Sequence, residues 1–161
     1  MKRFLALSVQ VRLDPRFPLA RRELTALVAA ILEALGLTGA RLSLTLMDDA
    51  AIAALNREHL GGDGPTNILS FPEADPERPA DLGELFLSVD TLGREAYLYG
   101  QDPAQHLVRL LAHGILHLAG YDHSHEMDVL TDIAVEAVCP EEDVDALIAD
   151  IINLVADTAK A

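Results

Sequence analysis

Apolar and polar positions alternate at the start of the chain, where Phe4, Leu5, Leu7, Val9, Val11 and Leu13 predict a strand over residues 2–12. In "LARRELTALVAAILEALGL", residues 19–37, the period changes. Leu24, Leu27, Val28, Ile31, Leu32 and Leu35 fall on one helical stripe, and Gly36 stops it. "ARLSLTLM" at 40–47 returns to alternation, with Leu42, Leu44 and Leu46 facing one way, and Asp48 or Asp49 then caps a short helix, "AAIAALNREHL". The turn-rich "GGDGPT" at 61–66 leads into a brief strand, "NILSF", ended by Pro72. Residues 73–81 carry no periodicity and read as a connector. "LGELFLSVD" at 82–90 alternates again and reads as a further strand.

Beyond residue 90 the pattern is helical. Asp90 is the expected cap of a helix over roughly 91–99. "QDP" at 101–103 gives a second start, with Asp102 as cap and Pro103 at the first helical position; Leu107, Leu110, Leu111, Ile115 and Leu118 then keep a helical period until Gly120. Ser124 can cap a helix running to about Val138, and Pro140 can open the next, "EEDVDALIADIINLVADTA". The prediction is an α+β (α/β-like) unit, a small sheet with about five helices concentrated after residue 90.

Composition narrows the class. With 161 residues, half of them hydrophobic, and no repeat or low-complexity run, residues 1–161 are expected to form a single domain. One cysteine, Cys139, excludes an internal disulfide, so a reducing cytoplasm is the expected compartment. "MKRFLALSVQVRL" imitates a secretory signal, but Gln10 and Arg12 interrupt its apolar run and no small-residue cleavage site follows. No stretch approaches the roughly eighteen apolar residues of a membrane span, and no membrane role is expected. The net charge of −14 opposes long-range attraction to nucleic acid without excluding a local basic groove.

"HGILHLAGYDH" at 113–123 carries the chemistry. Side chains four apart on a helix stand roughly 5–6 Å apart at Cβ, so His113 and His117 can aim two imidazoles at one point. Gly120 can end the helix in a left-handed conformation and return His123 as a third ligand. Three neutral imidazoles suit zinc and leave a fourth position open, which marks a catalytic rather than a structural site. Imidazole also accepts nickel, copper and iron. His106, about 10 Å back along the same helix, is too far to share the ion and reads as a surface or packing histidine, with a substrate contact as the alternative. His125 reads as a bystander and His59 is unassigned. The spacing matches the zinc-protease pattern H-E-x-x-H-x-x-G-x-x-H, except that the general-base Glu is replaced by Gly114. Peptide hydrolysis is thereby weakened, whereas cleavage of an activated phosphodiester stays compatible.

Together, "HGILHLAGYDH", "LNREHLGGDGPTNILSFP" at 55–72 and "LGELFLSV" at 82–89 resemble the bacterial YbeY endoribonuclease family of rRNA maturation factors. The resemblance covers roughly residues 40–138. It implies a mixed sheet of about four strands with packed helices, His113, His117 and His123 as metal ligands, and metal-dependent cleavage of single-stranded RNA in small-subunit rRNA 3′-end maturation and ribosome quality control. Implied partners are ribosomal RNA, a small-subunit ribosomal protein and a ribosome-assembly GTPase. The chain departs from the family pattern at Leu60 and Gly62, where the family commonly has Arg and Lys. A guanidinium there would bind phosphate bidentately, which Leu60 cannot do.

Around the triad, Glu84 is a candidate base, with a solvent-facing strand carboxylate as the alternative. Asp122 is a candidate catalytic residue or hydrogen-bond acceptor for a ligand imidazole, with a turn aspartate as the alternative. Arg57, Asn67 and Ser70 are candidate substrate contacts. Cys139 reads as a buried apolar residue rather than a fourth ligand. Two competing functions remain: a ribosome-associated binding module with a structural metal and little nuclease activity, and, more weakly, a zinc metalloprotease.

Overall fold

The computed structural model describes residues 9–140. The first part of the expected opening strand, residues 2–8, and the helix expected after Pro140 lie outside the described residues. The described chain forms four strands, β1 (Val9–Arg12), β2 (Arg41–Met47), β3 (Ile68–Pro72) and β4 (Asp81–Ser88), and five helices, α1 (Arg21–Ala34), α2 (Asp49–Leu60), α3 (Val89–Leu98), α4 (Pro103–Leu118) and α5 (His125–Val138). Strand order in the sheet is β1-β2-β4-β3. The first three run parallel, and β3 joins β4 antiparallel at one edge, with Ser70 opposite Leu85.

Pleating sends alternate side chains to opposite faces of this sheet. Leu42, Leu44 and Leu46 of β2, with Leu85 and Leu87 of β4, meet Leu24, Val28 and Ile31 of α1 and Leu107, Leu111 and Ile115 of α4, all nearly or fully buried. Ser43, Thr45, Glu84 and Phe86 point the other way and share an open cavity with Ala51, Leu55 and Glu58 of α2. The histidine helix therefore belongs to the core layer on one face, and Glu84 to the other.

Helix α4 starts as its sequence predicts. Asp102 accepts from the backbone N–H of Ala104 and Gln105, and Pro103 takes the first turn. A side chain at residue 114 would crowd two side-chain tips of the sheet layer. A Cβ there would stand 2.7 Å from Ile68 Cδ1 and 2.9 Å from Leu85 Cδ2. The gap is closed further by the Ser70 hydroxyl, which donates to the Gly114 carbonyl at 3.1 Å. Gly114 is thus a close contact between α4 and the sheet, and a larger residue after the first histidine would have to displace the tips of Ile68 and Leu85.

The start of α3 differs from expectation. Its cap is Ser88, whose hydroxyl accepts from Thr91 N–H, while Asp90 lies in the first turn. Ser88 is fully buried because it also donates to Asp49 at 2.7 Å, as does Thr91, and Arg94 binds the second Asp49 oxygen at 2.7 Å. The Arg94 guanidinium first, then the two hydroxyls, hold the Asp49 carboxyl down at about 2, against the effect of its burial. Asp90 instead accepts from Asp49 N–H and Arg16. This network joins the starts of α2 and α3, with Asp48 remaining the cap of α2.

Gly114→Glu, the change that would restore the protease pattern, is expected to lower stability by at least about 3 kcal/mol, because it buries an unpaired carboxylate and displaces packed side chains. Denaturant unfolding measures this. An unchanged midpoint would show that α4 does not approach the sheet so closely.

Candidate metal centre

Helix α4 presents His113 and His117 one turn apart, beside the Gly114 contact. Its end is fixed by two backbone bonds, Gly120 N–H to His117 O at 3.1 Å and Tyr121 N–H to Leu116 O at 3.0 Å, with Gly120 at φ +96°. This is the Schellman arrangement, and the positive φ it requires suits glycine. The chain reverses through Tyr121 and Asp122 to His123, after which Ser124 caps α5 through Met127 N–H.

The reversal brings three imidazoles together. Ring centroids are 4.6 Å apart for His113 and His117, 4.7 Å for His117 and His123, and 5.0 Å for His113 and His123. One nitrogen from each ring lies within 4.8 Å of the others, a group that can hold a metal ion. His117 Nδ1 donates to the Tyr121 carbonyl at 3.0 Å, which leaves its Nε2 with a free lone pair. That nitrogen stands 3.1 Å from His113 Nε2. Two ligands about 2.0–2.1 Å from one tetrahedral ion are about 3.3–3.4 Å apart, so the donor set fits a shared ion with little adjustment. Burial, then the neighbouring imidazoles His117 and His123, hold His113 below its ordinary value of 6.5, with Asp128 opposing. The shift favours the neutral ring, the form a ligand must take.

The triad opens into a cleft of about 510 Å³ whose walls include Leu60, Asn67, Ser70, Tyr121 and Asp122. Of the expected contacts, Asn67, Ser70 and Asp122 are thus brought to the histidines, although the Ser70 hydroxyl is engaged with Gly114. Glu84 and Arg57 are not among the cleft residues. Glu84 is exposed on the opposite face of β4, a consequence of the alternation that turns Leu85 and Leu87 inward. Arg57 is exposed on α2. The acceptor that orients a ligand is the Tyr121 carbonyl and not the Asp122 carboxylate, a role that a side-chain reading of the sequence misses. No lysine or arginine lines the cleft among the described residues. Leu60, at the expected arginine position, is 61% exposed there. His106 is buried, as a packing residue should be, and contacts Glu95. His125 opens α5 outside the triad, and Cys139 is buried away from it.

The family model for endoribonuclease YbeY matches residues 15–134. Among curated relatives, an endoribonuclease YbeY of Nitratidesulfovibrio vulgaris is 49% identical over 140 residues, covering 76% of this chain and 86% of the relative. One from Oleidesulfovibrio alaskensis is 42% identical over 153 residues, covering 82% and 90%. A solution structure of a Thermotoga maritima protein is similar at a TM-score of 0.64 and 26% identity, covering 85% of this chain and 93% of that one.

The depressed proton affinity of His113 sets a pH dependence. The unfolded chain binds its proton near 6.5 and the folded chain only at lower pH, so the unfolded state holds more protons between the two values. Stability of metal-free protein should therefore fall as pH drops below about 6.5, and His113→Gln should flatten that decline. Thermal melting of chelator-treated protein from about pH 7 to about pH 5 checks the sign, which a stability rising towards acid would reverse.

Proposed function

Because the chain belongs to the endoribonuclease YbeY family, we propose that residues 1–161 are one metal-dependent hydrolase domain that cuts single-stranded RNA. The step is assigned to 3′-end maturation of small-subunit rRNA and to ribosome quality control, in the cytoplasm. Its partners are then the small ribosomal subunit, through one of its proteins, and a ribosome-assembly GTPase. The observation that carries this reading is the three-imidazole group at an open cleft of about 510 Å³.

His113, His117 and His123 would hold zinc, with nickel or another divalent transition metal as the alternative for the same donors. A bound ion of this kind supplies Lewis acidity towards a phosphoryl oxygen and lowers the pKa of water. The chain's own residues contribute orientation and exclusion. The Tyr121 carbonyl fixes the His117 tautomer, Asn67 offers a neutral donor in the wall, and Asp122 is the carboxylate that lines the cleft and could serve as proton acceptor. Glu84, on the far face, has no part in this chemistry.

A second reading, a ribosome-binding module with a structural metal and weak or no turnover, is favoured by Leu60. The side chain occupies the cleft where a guanidinium would otherwise stabilise phosphate charge, in a chain of net charge −14. A protease loses support, since Gly114 leaves the general-base position without a carboxylate and a side chain there would crowd Ile68 and Leu85.

The test begins with metal content and cleavage of a single-stranded RNA by the purified protein. The double substitution His113→Ala and His117→Ala should abolish both; cleavage that survives metal loss excludes the mechanism. Leu60→Arg should raise kcat/KM roughly ten- to a hundredfold, the range expected for one charge-assisted phosphate contact. It is a cleaner addition than Gly62→Lys, because a Cβ at Gly62 would overlap the Asn56 amide that holds the Gly64 carbonyl. Normal ribosome association with no turnover, and no gain from Leu60→Arg, would establish the binding module instead.

A further inference from the structure

Asn67 stands in the cleft wall just before β3, and its side-chain amide and backbone carbonyl both have partners. Its Oδ1 accepts from Ile68 N–H at 2.7 Å, and its own carbonyl accepts from Ser88 N–H at 2.9 Å. Its Nδ2 donates to Glu95 on α3, 3.1 Å from Oε1 and 3.4 Å from Oε2. The amide orientation is settled by chemistry, since a backbone N–H only donates and a carboxylate only accepts. Glu95 is in turn anchored from behind, with Oε1 3.3 Å from Nε2 of His106 on α4.

The pair behind Asn67 has little exposure. The Glu95 side chain is 20% exposed and that of His106 7%. Nδ1 of His106 is buried with no partner. A carboxylate only accepts, so Nε2 of His106 donates to Glu95. An apolar pair would fill the space between α3 and α4 at lower desolvation cost. What the polar pair achieves, and an apolar one could not, is to hold the Asn67 amide. Neither Glu95 nor His106 lines the cleft, whereas Asn67 does.

Resting on the RNA-cleavage reading above, we propose that Glu95, braced by His106, is a positioning residue that orients the Asn67 amide to bind the RNA strand. Nδ2 carries two hydrogens and meets one carboxylate, so one hydrogen is available for an acceptor oxygen of the RNA. In a cleft lined by no lysine or arginine among the described residues, this neutral donor carries a larger share of substrate recognition than it would beside a guanidinium.

A double-mutant cycle with a fluorescein-labelled single-stranded oligoribonucleotide tests this. Asn67→Ala and Glu95→Ala should each raise KM about five- to tenfold, with kcat within about twofold and metal content unchanged, the size expected for one lost hydrogen bond. Because Glu95 acts through Asn67, the double variant should be no worse than Asn67→Ala alone. Additive KM effects, or an unchanged KM in Glu95→Ala, would overturn the proposal, since a purely structural Glu95 lowers melting temperature independently of Asn67. If Glu95→Ala melts below the assay temperature, Glu95→Leu runs the same cycle, filling the space with no acceptor for either donor. If the wild type binds the oligonucleotide without cutting it, the cleavage reading fails while Kd replaces KM in the cycle; a wild type that neither binds nor cuts overturns both.

Discussion

The close approach of α4 to the sheet at Gly114 is the constraint on which the rest depends. With no Cβ at that position, Ile68 and Leu85 reach the helix backbone, and the Ser70 hydroxyl reaches its carbonyl. The contact sets the depth of α4 against β3 and β4. His113 precedes this contact by one residue and His117 lies one turn on. Cleft wall and metal ligands are therefore positioned by the same packing, and a substitution that loosens one displaces the other.

The elements of α4 are readable from sequence because each signal is local. Asp102 and Pro103 mark its start, the leucine and isoleucine period its buried face, and Gly120 its end. The triad follows directly, since its spacing requires only a helix and a stop. Misreadings arise where a partner is distant. Asp90 has the right residue type for a cap, but Ser88 takes that role because Asp49, 39 residues away, accepts its hydroxyl. Glu84 was legible in part: the alternation that buries Leu85 already turns Glu84 away, although adjacency to the family's strand motif pulls the other way. The pairing of Asn67, ahead of β3, with Glu95, 28 residues on in α3, has no sequence signal at all.

Gly114 shows why a motif needs its surroundings. By pattern it is a missing general base, which moves the chemistry away from peptide bonds. By structure it is a close contact on a buried helix face, and a carboxylate there would meet apolar side chains and not a substrate. Both lead to the same exclusion of protease chemistry, but only the second gives its physical cause.

The three histidines differ in how they are held. His113 and His117 belong to a sixteen-residue helix that carries much of the core, whereas His123 sits on the exposed reversal between Gly120 and Ser124. Local opening of that reversal releases His123 while the core stays intact; releasing either of the others means unwinding α4. The position of His123 thus rests on a surface turn, whereas those of His113 and His117 rest on the core.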